Sequence, residues 1–129
     1  MKKTIYLLFF LLIATNFIVL GQNTAAKITF EETIFSFEDV EEGTELKYTF
    51  NYTNTGKSPL LISDIRTTCG CTVTAWNKKP LPTGQTDKIE VTFDTHNKVG
   101  RQHKVLVLLS NASQPLVYLE LQGNVLPKK

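Results

Sequence analysis

Leu46-Lys47-Tyr48-Thr49-Phe50-Asn51-Tyr52-Thr53 decides the fold class. Apolar or aromatic side chains stand at 46, 48, 50 and 52, and polar ones at 47, 49, 51 and 53. Successive side chains of a strand point to opposite faces, so this stretch has one dry face and one wet face. A helix would need its apolar positions three and four apart, and no stretch of the chain after the leader sustains that period.

Working outward, the same alternation returns at Ile89, Val91 and Phe93. Ile28 with Phe30, Phe35 with Phe37, and Leu60-Leu61-Ile62 with Ile65 read as shorter strands. Lys104 to Leu109 and Leu116 to Val125 are apolar on both faces, the pattern of covered strands. Glu42-Gly43, Asn54-Thr55-Gly56, Pro80-Leu81-Pro82-Thr83-Gly84, Val99-Gly100 and Ser110-Asn111-Ala112-Ser113 supply turns between these runs. About seven strands at this spacing predict an all-β, immunoglobulin-like two-sheet sandwich. The expected core members are Phe30, Phe37, Phe50, Phe93, Val107 and Leu121. Cysteines bridging distant strands around a central Trp, the mark of antibody domains, are absent.

The start of the 129-residue chain has another character. Lys2 and Lys3 precede the apolar run Ile5–Ala14, a second apolar patch spans Phe17–Leu20, and Gly21 follows. This is the layout of a signal peptide over residues 1–21, with the cut expected before Gln22. A retained anchor is the alternative, but a span needs about 20 mostly apolar residues and Thr15 and Asn16 interrupt this run. No stable membrane span is expected after cleavage, and no Cys follows the run to carry a lipid. The domain is then 22–129, exported to the periplasm or the cell surface.

The whole chain carries 14 Lys and Arg against 12 Asp and Glu. Lys2 and Lys3 belong to the leader, so the remainder balances at 12 against 12. A neutral domain has no electrostatic footprint for nucleic acid or anionic lipid, and both partner classes drop out.

Thr68-Cys69-Gly70-Cys71-Thr72 is the most distinctive motif. Residues two apart on a strand share a face at about 6.6–6.8 Å, the upper edge of the Cα spacing a disulfide accepts. Gly70 permits a turn that shortens the gap. The pair reads as a local clip or packed thiols at a strand end. Redox chemistry or a soft-metal site is the functional alternative. Zinc would need about two more ligands, and His96 and His103 stand far away in sequence. No metal or cofactor is expected, and no cation but Arg66 precedes the motif closely. Trp76, shortly after it, reads either as an exposed platform for a sugar or a partner, or as a core residue covering the cysteines. Cys69, Cys71 and Trp76 are therefore the binding or redox candidates.

His96 and His103 flank a turn and read as solvated. The acids Glu38, Asp39, Glu41, Glu42 and Glu45 lack the spacing of a calcium loop. Asn51-Tyr52-Thr53 and Asn111-Ala112-Ser113 match the glycosylation pattern, which a bacterial-type leader makes accidental. No catalytic constellation is present, and an enzyme is not expected.

The ordered series Phe50-Asn51-Tyr52-Thr53-Asn54-Thr55-Gly56, Pro59-Leu60-Leu61-Ile62, Cys69-Gly70-Cys71-Thr72 and Pro82-Thr83-Gly84 resembles the bacterial domain of unknown function family 1573. Gly100, Ser110-Asn111 and Leu121-Gln122-Gly123-Asn124-Val125 extend the resemblance over nearly all of 28–125. It implies secretion and a sandwich akin to the major-sperm-protein and ASH types, but no activity. Glu38 stands after Phe37 where the family typically has Gly, which implies that a tight backbone approach is missing there.

The functional expectation is an exported, non-catalytic binding or scaffolding module of the bacterial cell envelope. Its partner would be another envelope protein or a surface glycan. The alternative is a small thiol–disulfide or copper-handling protein using Cys69 and Cys71.

Overall fold

The computed structural model describes residues 24–129; the expected leader and the cut before Gln22 lie outside the described residues. The alternating stretch is the centre of β4 (Glu45–Asn54), which pairs antiparallel with β7 (Thr86–Asp94) from Glu45↔Asp94 to Thr53↔Thr86. β1 (Ile28–Phe30) flanks β4, and β6 (Thr72–Trp76) flanks β7, giving a first sheet in the order β1-β4-β7-β6. The second sheet is built on the long hairpin of β8 (Gly100–Ser110) and β9 (Leu116–Leu126). β5 (Ile62–Thr67) pairs with β8, while β2 (Ile34–Ser36) and β3 (Val40–Glu41) both run parallel to β9. Among the described residues there is no helix, and so none long and apolar enough to cross a membrane.

Nine strands stand where about seven were expected, the additions being the two-residue β3 and β6, which follows the cysteine motif. The N-terminal segment divides between the sheets. It serves the first sheet as β1, then crosses to the second sheet as β2 and β3.

The alternation of β4 and β7 delivers Phe50, Ile89, Val91 and Phe93 to the interior, where each is at most 1% exposed. The second sheet answers with Leu106, Leu108, Leu119 and Leu121, all fully buried. Val107 is a correction. It sits opposite Tyr118 on the outer face and is only half-buried. β8 is apolar on both faces, so alternation alone could not say which face is inward. Phe30 and Phe37 are half-buried flanking residues packed against the core. Phe37 lies against Phe93 at 6.2 Å between ring centroids.

The tight approach near Phe37 is made from the other side. A side chain at Gly123 would overlap the Phe37 ring, while Glu38 is exposed. Nor does the turn before Gly100 close a hairpin, since β7 and β8 belong to different sheets. The crossing is anchored by buried Thr95, whose hydroxyl donates to the Thr44 carbonyl at 2.7 Å.

Candidate functional site

β5 ends at Thr67 in the second sheet and β6 begins at Thr72 in the first. The four residues between them form a corner joining the two sheets, and both cysteines lie in it. Cys69 and Cys71 are joined as a disulfide, with their Cα atoms 5.3 Å apart. That is shorter than an extended strand gives, because the corner turns: the Thr72 N–H donates to the Cys69 carbonyl at 3.3 Å. The Thr67 hydroxyl donates to the same carbonyl at 3.1 Å. The Asp94 N–H donates to the Cys71 carbonyl at 3.0 Å, tying the corner to the end of β7. The Cys71 N–H points at the Cys69 sulfur at 3.3 Å. Gly70 is not in the left-handed region, and a side chain there would meet nothing, so the turn does not depend on glycine.

Both cysteines are half-buried. Thiol chemistry is promoted by a nearby cation or helix N-terminus. Arg66 is instead paired with Asp64, its Nε 2.9 Å from Oδ2, on the exposed side of β5. Among the described residues no three His, Cys, Asp or Glu side chains are grouped as metal ligands.

Trp76 occupies the far end of β6. Five positions along extended chain put it about 16 Å from Cys71, so it does not cover the cysteines. Its side chain packs against the core. The indole N–H donates to the Ile62 carbonyl at 3.3 Å, linking the edges of the two sheets. Lys78 lies over the ring at 5.2 Å. The three candidate residues are thus two separate fastenings on one flank of the sandwich, the disulfide at one end and the indole at the other.

His103 binds Glu120 at 2.7 Å on the outer face of the second sheet, and His96 stands exposed in the crossing turn. The acidic stretch is spread over structural contacts. Glu42 accepts the Asn97 N–H at 3.0 Å, Asp39 accepts from Asn124 at 2.9 Å, and Glu45 lies 3.3 Å from Lys47. Shifted titrations lie away from the corner. Burial pushes the Tyr52 hydroxyl up to about 12, and a hydrogen bond to Glu32 raises that of Tyr48.

Sequence reasoning missed the surface opposite the core side of the second sheet. Val105, Val107 and Leu109 on β8 face outward beside Leu116 and Tyr118 on β9, and no element of the described chain covers them. Tyr118 is 55% exposed and Leu116 40%. The signal was present in the doubly apolar runs of these strands, which were read as covered.

This architecture defines an all-β sandwich of immunoglobulin-like type. The chain belongs to the protein family of unknown function DUF1573, whose model matches residues 28–125. Comparison with curated proteins finds no match. Among solved structures, a Porphyromonas gingivalis W83 protein of unknown function is similar with a TM-score of 0.70 at 14% identity, over 84% of this chain and 51% of that one. The Vibrio cholerae VesB protease gives a TM-score of 0.60 at 13% identity, over 77% of this chain and 31% of its own. The ASH/PapD-like domain 7 of human CEP192 gives 0.63 at 11% identity, over 86% and 93%. This chain therefore spans about half of the Porphyromonas protein and about a third of VesB. At these identities the likeness is one of fold.

Proposed function

We propose that this chain is a non-catalytic protein-binding module of the bacterial cell envelope, exported by its leader. The observation that carries the reading is the uncovered apolar row on the outer face of the second sheet, from Val105 to Leu109 and from Leu116 to Tyr118. Exposed apolar surface of this kind is costly to leave in water and marks contact with another macromolecule. A protein partner fits better than a glycan, because the Trp76 ring is already engaged by Lys78 and the Ile62 carbonyl. The half-buried disulfide without an activating cation supports a structural part for Cys69 and Cys71. The match to a minor share of VesB is in keeping with a fold that also serves as one part of larger proteins.

The test is affinity capture from the native envelope fraction with the full chain, beside a variant carrying Val107→Lys. A stoichiometric protein partner held by the parent and released by the variant is the expected result. Turnover of a disulfide substrate by the parent, or capture unaffected by Val107→Lys, would overturn the reading.

A further inference from the structure

We propose that the gap between β1 and the first half of β9 is a docking slot for a single extended peptide strand of another protein, uncharged and apolar at alternate positions. The proposal rests on the binding-module reading above and gives it a site and a partner class. Parity of the ladder is the first argument. The Ser110 N–H donates to the Pro115 carbonyl, so odd-numbered residues of β9 direct their backbone groups to β8. Even-numbered residues face the other way. Glu120 there donates to the Thr33 carbonyl at 2.8 Å, and the Gln122 carbonyl accepts from Phe37 at 2.9 Å. Leu116 and Tyr118 are the even-numbered residues just before these. The N-terminal chain that pairs with the rest of β9 has swung away to β4 at that level.

The opposite wall has the same property. The Lys27 carbonyl accepts from Thr55, just past β4, and the Glu31 N–H donates to the Asn51 carbonyl of β4, so the backbone groups of Ile28 and Phe30 point away from β4 and into the gap. Two rows of backbone donors and acceptors thus face one opening of about 440 Å³. Its floor is the flank of the core, Ile28, Phe30 and Val117, each half-buried. The remaining lining residues include Thr29, Thr33 and Gln114, and none carries a charge.

These features specify the occupant. A strand joining β9 would lie about 4.8 Å from it, with every second side chain on the apolar floor. The Ser113 N–H is already bonded to the Ala26 carbonyl, and that of Glu120 to Thr33, so the crossing chain bounds the opening at both ends. The stretch of β9 between them that is unpaired on this side among the described residues is about 20 Å, room for roughly six extended residues. A long flat edge of a second folded copy does not fit between those bounds. A charged segment would lose its hydration against a neutral lining without finding a counter-charge.

The test uses the full chain and a capped hexapeptide alternating valine and threonine, followed by amide NMR shifts. Saturable shifts at Leu116 and Tyr118 are expected. The same peptide with alternate amides N-methylated should bind roughly tenfold more weakly, the worth of about one backbone hydrogen bond. Tyr118→Pro deletes an N–H that has no partner among the described residues without breaking the β8 ladder, and should abolish binding. Tyr118→Ala, which keeps the N–H, should retain it within about threefold, since one flexible contact at a rim carries little. Should Tyr118→Pro fail to fold, the paired peptides on the parent decide alone. No saturable shift, equal binding of both peptides, or shifts confined to another surface would overturn the slot. So would a dimer that Tyr118→Pro abolishes, since the occupant would then be a second copy. If the envelope partner captured by the parent still binds Tyr118→Pro, the slot reading falls while the binding-module reading stands.

Discussion

Asn54 is wholly buried, and its side chain organises the corner where β1, β4 and the following turn meet. Its amide donates to the Ser58 carbonyl at 2.8 Å and to the Leu81 carbonyl at 3.0 Å. Its oxygen accepts from the Gly56 N–H at 3.0 Å and lies 3.5 Å from the Lys27 N–H. Gly56 must be glycine here, because a side chain would run into the backbone of Ala25, Ala26 and Lys27. The sequence showed Asn54-Thr55-Gly56 only as a turn, since nothing local tells a buried Asn from a solvated one. Asn54→Ala orphans several buried backbone groups and should cost about 2–4 kcal/mol, read from a urea melt. A second residue-scale effect concerns Tyr52, whose ring is 2% exposed. Burial, with a smaller contribution from the Asp87 charge, raises its hydroxyl to about 12 when folded, above the ordinary tyrosine value of 10.0. The unfolded chain therefore releases this proton first. Stability is full below pH about 10 and falls as pH rises through 12, by on the order of 2 kcal/mol from this group. Tyr52→Phe should remove that part of the alkaline loss while changing stability little at neutral pH.

Among the elements, β4 was the most legible, because one face is dry and the other wet along most of its length. Phe50→Ala should destabilise the fold by about 3–5 kcal/mol, whereas Thr49→Ala, on the exposed face, should stay within about 0.5 kcal/mol in the same melt. β8 and β9 were legible as strands but not as faces, which is why Val107 was placed inside. Leu106 and Leu108 fill that place. The cysteine corner was legible as a local clip, but its position between sheets follows from long-range pairing that no local pattern encodes. Its ring closes over a sequence separation of 2, which restricts little of the unfolded chain. Replacing both cysteines by Ser should therefore lower stability by only about 1–2 kcal/mol, seen as a modest shift of the thermal midpoint.

For the whole molecule, the two sheets share one core and one N-terminal strand, and the corner at Cys69–Cys71 and the crossing at Thr95 bind them further. They should unfold together. Trp76, the single tryptophan, reports from the first sheet, while circular dichroism reports from both. Coincident melts by fluorescence and by circular dichroism are expected, and separated midpoints would show the sheets to be independent. The fold class was legible from alternation and turns because both are local properties. The outer-face row and the slot beside β9 were not, because each exists only once strands distant in sequence are set side by side.

The parallel course of β2 and β3 along β9 has a mechanical consequence. The chain enters beside Ala26, near the β8–β9 turn, and leaves past Leu126, where Glu41 pairs at the opposite end. Tension applied to the flanking segments would drag neighbouring parallel strands past each other in shear. The bonds from Glu120–Thr33 to Glu42–Leu126 would then bear the load together instead of parting one at a time. A domain strung between two tethers in this way resists being pulled open.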